Sequence, residues 1–97
     1  SMIKSQAQYN ISVTFLKEGK RFIAYSPLLD LSTSGKTYEE AKQRFSEAVR
    51  IFLKELARKD TLEEVLGDLG WQKINRKWIP PVFIGHESHS VRVPLSA

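Results

Sequence analysis

Gly35-Lys36-Thr37-Tyr38-Glu39-Glu40-Ala41, running on through Phe45, Ala48, Val49, Phe52, Leu53 and Leu56, is the stretch around which the chain is built. Thr37 precedes Glu40 by three residues, the spacing of a capping box. The Thr37 hydroxyl can accept from the Glu40 amide, while the Glu40 carboxylate reaches back to the amide of Thr37. Glu39 and Glu40 place negative charge at the positive end of the helix dipole. Tyr38, Ala41, Phe45, Ala48, Val49, Phe52, Leu53 and Leu56 recur at spacings of three and four, so they share one face. Glu40 with Arg44 and Glu55 with Lys59 are i, i+4 pairs on the wet side. The spacing predicts a long amphipathic helix whose apolar stripe needs a flat surface to cover.

That surface is written ahead of it. Tyr9, Ile11, Val13 and Phe15 alternate with Asn10, Ser12 and Thr14, the period of a half-buried strand. Lys17-Glu18-Gly19-Lys20 is a polar break with a glycine, a hairpin turn. Arg21 to Ser26 is rich in β-formers, and Pro27 marks its margin. Leu29, Leu31 and Thr33 alternate with Asp30, Ser32 and Ser34 as a third short strand. Gly35 turns the chain into the helix. The fold class expected is α+β: a three-stranded antiparallel meander covered by one long helix, with a short second helix and a C-terminal tail holding one or two further strands.

The second helix follows the polar joint Arg58-Lys59-Asp60. Asp60 with Glu63, or Thr61 with Glu64, repeats the capping spacing. Leu62, Val65, Leu66 and Leu69 give the apolar face, and Gly70 stands where a helix ends in a left-handed residue. Gly67 inside it costs about 0.8–1 kcal/mol relative to alanine. Beyond Trp71 the pattern loosens into a mixture of bases and aromatics up to Trp78. Pro80-Pro81 then precedes the apolar run Val82-Phe83-Ile84, and Val91 and Val93 alternate around Arg92 before Pro94.

At 97 residues the chain reads as one domain spanning 1–97, with its core in 8–70 and a strand-and-loop tail in 71–97. Ser1 before Met2 reads as an expression remnant and is set aside. With 41% hydrophobic and 27% charged residues the composition is that of a globular chain rather than a disordered one. The absence of cysteine excludes disulfides, thiolate catalysis and cysteine zinc sites, and fits a cytoplasmic location. No apolar run approaches the roughly 20 residues of a membrane span. The net charge of +4 is uneven: residues 1–35 carry +2, residues 36–70 carry −1, and residues 71–97 carry +3.

Catalytic readings are poor. Paired-metal phosphodiester chemistry needs several converging carboxylates, and the three strands offer only Asp30. The helical glutamates sit at cap and solvent positions. His86 and His89 flank Glu87 in a glycine- and serine-rich tail with no third ligand at a telling spacing, so solvated histidines are the expectation and neither metal nor cofactor is implied. The segment Trp71–Trp78 interleaves tryptophan with Lys73, Arg76 and Lys77, which can stack on bases and neutralise phosphates. The competing and preferred reading is that both tryptophans seal the open end of the sheet and helix. The candidate partner or nucleic-acid surface is therefore Trp71, Lys73, Arg76, Lys77, Trp78, Val82, Phe83, Ile84 and Arg92.

Phe22-Ile23-Ala24-Tyr25-Ser26-Pro27-Leu28-Leu29, then Gly35 to Ala41, then Glu47-Ala48 resemble the core of the HicB antitoxin family: an aromatic-Ala strand, Pro-x-Leu, a short spacer, Gly-x-Thr/Ser-x-x-Glu-Ala, and a later Glu-Ala. The likeness covers residues 8–58, about half the chain. It implies a truncated ribonuclease H-like fold and a non-catalytic antitoxin that binds and blocks a small HicA-type mRNA-cleaving toxin, commonly as a homo-oligomer. The chain differs in having Asp30-Leu31 where many members have Gly-Cys. It also has only the short tail from Trp71 where many carry a DNA-binding domain. A small nucleic-acid-binding protein and a scaffold module without a toxin are the alternatives.

Overall fold

The computed structural model describes residues 7–96, so Ser1 and Met2 lie outside the described residues. Its elements run β1 (Thr14–Glu18), β2 (Arg21–Ser26), β3 (Leu31–Gly35), α1 (Tyr38–Arg58), α2 (Leu62–Asp68), β4 (Gln72–Ile74) and β5 (Lys77–Ile79). The first three strands form an antiparallel meander in the order β1-β2-β3, and β4 and β5 form a separate two-stranded hairpin. The architecture is α+β, with the long helix laid over one face of the meander.

The first strand is shorter and later than its alternation predicts. Pairing begins at Thr14 opposite Tyr25 and runs to Glu18 opposite Arg21. It cannot begin earlier, because β2 ends at Ser26 and Pro27, lacking an N–H, turns the chain away. Residues 7–13 therefore run without regular structure, although Ile11 and Val13 still pack on the core. Lys17 and Glu18, expected in the turn, extend the strand, and Gly19-Lys20 alone reverses the chain. Gly19 takes φ +59 as the first central residue, the place glycine holds in a type II′ hairpin. The third strand starts at Leu31 rather than Leu29. Asp30, at φ 48, kinks the chain first and leaves Leu29 in the turn, where it is buried.

Cross-strand register sorts the side chains. Phe15, Ala24 and Thr33 lie opposite one another on the face toward α1, as do Phe22 and Gly35. Ala24, Ala41 and Phe45 form the centre of that layer, ringed by Val13, Phe15, Phe22, Leu31 and Val49. Small residues facing each other let helix and sheet approach closely. The Thr33 hydroxyl donates to the Ala41 carbonyl at 3.0 Å. At Gly35 a Cβ would sit 2.6 Å from the Ala41 backbone nitrogen, so no side chain fits there. The second cluster, Leu28, Leu29, Leu66 and Trp71, joins the β2–β3 turn to α2 and the start of the hairpin.

The helix ends show which local signals operate. Thr37 caps α1 as expected, its Oγ1 accepting from the Glu40 amide at 3.0 Å, but the Glu40 carboxylate accepts from the Lys36 amide rather than that of Thr37. Neither expected cap of α2 forms: Thr61 makes no side-chain capping bond. Asp60, at φ 56, is used instead to stop α1, with the Thr61 amide donating to the Leu56 carbonyl in a Schellman closure. The same closure ends α2, where Gly70 at φ 94 lets the Trp71 amide reach the Leu66 carbonyl. Among the described residues no helix is long and apolar enough to cross a membrane.

Candidate partner-binding surface

The tail beyond α2 divides in two. Residues 72–79 fold as the β4–β5 hairpin, whereas 80–96 carry no regular structure. The two tail strands thus lie before Pro80, not in the apolar runs after it. Their turn is Asn75-Arg76, both left-handed at φ 52 and 65. With register Gln72 to Ile79, Lys73 to Trp78 and Ile74 to Lys77, the turn is a two-residue one of type I′ character.

Trp71 is removed from the candidate surface. It is buried, and its Nε1 donates to the Leu28 carbonyl at 2.8 Å. An indole needs such a partner once it leaves water, and the bond ties the hairpin to the β2–β3 turn. Trp78 is half-buried; its amide donates to the Tyr9 hydroxyl at 2.9 Å. The Tyr9 ring meets Trp71 edge-on at 6.1 Å. Tyr9 is the residue whose role the alternation misassigned: it leaves the sheet to brace the hairpin. Lys73 pairs with Glu63 and lies 5.7 Å from the centre of the Trp78 ring. Arg76 and Lys77 are exposed at the hairpin tip. Among the described residues neither has a carboxylate in ion-pairing range.

From Val82 to Leu95 the chain is an exposed arm. Ile84 is 99% exposed, Val91 77% and Val93 72%, and Val82, Phe83 and Leu95 are exposed too. Its root is seated: Pro81, Val82 and Phe83 line a shallow groove with Pro27, Leu28 and Leu69. Phe83, Gly85 and His86 then pass Ser12 and Thr14 beside the start of β1. Arg92 sits between Val91 and Val93 on the exposed arm. The meander adds a second open surface. Leu16, Ile23 and Tyr25 point away from α1, and Leu16 is half-exposed. Among the described residues no further strand pairs with either outer edge, β1 or β3.

The acidic groups are dispersed. Asp30 accepts from the Tyr25 hydroxyl at 3.2 Å. Burial, that bond and the Asp30 charge all push the Tyr25 phenol up. The Lys36 amide holds the Glu40 carboxyl below its ordinary value, helped by the charges of Arg44, Lys36 and Arg21. Glu55 is lowered chiefly by its bond to Arg58, with Lys59 adding charge. His89 Nε2 lies 2.9 Å from Glu87 Oε1. Among the described residues no three such side chains gather as metal ligands. The arrangement suits binding by apolar contact and free strand edges. No family model matches the chain, and neither a curated protein nor a solved structure does.

Proposed function

We propose that the protein is a non-catalytic, HicB-like antitoxin that binds and blocks a small HicA-type mRNA-cleaving toxin in the cytoplasm. The observation that carries this reading is the arm: a charge-balanced segment with six exposed apolar side chains beside a sheet with two open edges. The six side chains fall in two exposed runs, Val82–Ile84 and Val91–Leu95, and apolar surface of this kind left in water marks a site of protein contact. Strand addition and apolar anchoring give stable complexes without charge complementarity, which matters in a chain of net charge +4. The likeness of residues 8–58 to HicB supplies the identity of the partner, and the sheet with its covering helix agrees with the truncated ribonuclease H-like fold that the likeness implies.

The experiment is a titration of the toxin encoded beside this protein with the full chain and with a chain ending at Pro81. Tight binding by the full chain, weakly dependent on salt and reduced by the truncation, is expected. Undiminished binding by the shortened chain would move the contact off the arm. Nucleic acid is the second reading, and it is the poorer one because Trp71 is buried and Lys73 is paired. Binding to RNA or DNA is expected to be micromolar or weaker and blind to sequence.

A further inference from the structure

We infer that Tyr9 is a positioning residue for the arm: its phenol latches the β4–β5 hairpin to the body, and through the hairpin it seats the arm's root. The latch begins with an amide that the hairpin itself cannot use. Ile74 and Lys77 flank the two-residue turn and exchange the ladder bonds. At the next pair, Lys73 and Trp78, amides and carbonyls therefore point outward. The Trp78 amide finds the Tyr9 hydroxyl at 2.9 Å, across 69 positions of sequence. Among the described residues no other side chain hydrogen-bonds to β5.

The first strand of the hairpin is held without Tyr9; the second is not. Trp71, at the head of β4, is buried with its indole on the Leu28 carbonyl, and Lys73 pairs with Glu63 of α2. Strand β4 packs on α2, whereas β5 has no comparable neighbour besides β4. Strands of three residues are too short to hold a hairpin by themselves. The half-buried Trp78 ring leans on the cluster of Leu28, Leu29, Leu66 and Trp71, and Tyr9 adds the bond to its amide. The Tyr9 ring also meets Trp71 edge-on at 6.1 Å. Its own footing is Ile11, two residues on, which packs on both core clusters.

Strand β5 leads straight into the arm. Pro80 and Pro81 follow Ile79 with fixed φ and no amide, so the direction in which β5 leaves the hairpin sets where the next residues land. They land in the groove lined by Pro27, Leu28 and Leu69. There Pro81 approaches Gly70 so closely that its Cγ would lie 3.3 Å from a Cβ added at the glycine. Leu28 serves both ends of the lever, since its carbonyl holds Trp71 and the residue also lines the groove.

The segment that carries the latch is easily lifted. Residues 7–13 have no regular structure and Tyr9 is 37% exposed, so the latch opens without unfolding the meander or α1. Opening it frees β5 and the arm's root together. In the antitoxin reading the arm reaches its partner from this seat, and affinity scales with the fraction of time the root is seated. That consequence alone rests on the antitoxin reading; the latch does not.

Nuclear magnetic resonance of the protein alone provides the test. In the native chain the ladder amides of Ile74, Lys77 and Ile79 should exchange with solvent about tenfold faster than those of β2, because the latch opens on its own. Tyr9→Phe keeps the ring and removes the acceptor, and should speed exchange at those three amides by about twofold to tenfold. Tyr9→Ala removes the ring as well. The cross-relaxation between Gly70 and Pro81 protons should then disappear, while the amide resonances of Ala24 and Phe45 keep their positions. Tyr38→Phe, which takes a hydroxyl from an exposed ring on α1, should change none of these signals. A general loss of stability would not empty the seat of a chain that is still folded, so the Gly70–Pro81 signal separates positioning from packing. Ladder amides that exchange no faster than those of β2 overturn the latch, as does a Gly70–Pro81 signal that survives Tyr9→Ala. Resonances of β2 and α1 that shift as far as those of β5 overturn it too. No toxin enters the measurement, so its failure is separate from failure of the antitoxin reading.

Discussion

Replacing Phe45 by alanine probes the layer on which the fold depends. Phe45 is 5% exposed and packs on Ala24 and Ala41, both fully buried, with Val13, Phe15 and Phe22 around it. Those neighbours include two alanines and, at Phe15 and Phe22, strand residues fixed by cross-strand pairing, so the space left by the ring closes little. Losing the ring costs its transfer free energy and the cavity term, together about 3–5 kcal/mol. A domain of this size has a total stability of about 5–15 kcal/mol, so the loss is a large fraction. In urea, with a slope of about 1–2 kcal/mol per molar, the midpoint should fall by roughly 1.5–5 M with the slope unchanged. Ile51 lies on the opposite side of α1 at 52% exposure, and Ile51→Ala should change stability by no more than about 0.5 kcal/mol. A loss below about 1 kcal/mol at Phe45, or equal losses at the two sites, would mean that α1 does not cover the sheet with this face.

Two glycines should respond in opposite directions. Gly35→Ala drives a Cβ to 2.6 Å from the Ala41 nitrogen, and should cost about 1–3 kcal/mol or more. Gly67→Ala enters open space inside α2 and should stabilise by about 0.5–1 kcal/mol in the same denaturant titration. Trp71→Phe strands the Leu28 carbonyl, and about 1–3 kcal/mol should be lost. Glu40 and Glu55 both titrate lower in the folded chain than their ordinary value of 4.5. Their contribution is therefore present above that value and drains away as pH falls through the lowered folded values. Melting temperature should drop on acidification below about pH 4.5, and Glu40→Gln should flatten that limb. An acid limb unchanged by the substitution would assign it elsewhere.

Helix α1, its Thr37 cap, strand β2 and the order of elements were legible because each rests on local signals repeated over many residues. The misplacements have local causes too. Tyr9 and Ile11 alternate as a strand, but β2 ends at Ser26 and Pro27 and leaves them no partner. Asp60 has the chemistry of an N-cap, yet the preceding helix takes it for its own left-handed stop. The β4 and β5 strands are three residues each, too short for a period of two to show. The clue was Asn75, a residue that tolerates the left-handed region, with Ile74 before it and Trp78 three residues after it. At the candidate surface the sequence grouped side chains that the structure separates into buried and exposed. Trp71 and Ile84 are both large side chains expected at the surface but differ in fate, since the indole finds the Leu28 carbonyl beside the α2 closure and Ile84 stays exposed.

Inhibition of mRNA cleavage is the most direct measurement of the proposed antitoxin function. A HicA-type toxin, sought in the reading frames beside that of this protein, is incubated with an RNA substrate, and the full chain is added in increasing amounts. Cleavage should fall linearly and end near one chain per toxin, with no cleavage by this protein alone in magnesium or manganese. Cleavage that continues undiminished at a clear excess of the protein contradicts the account.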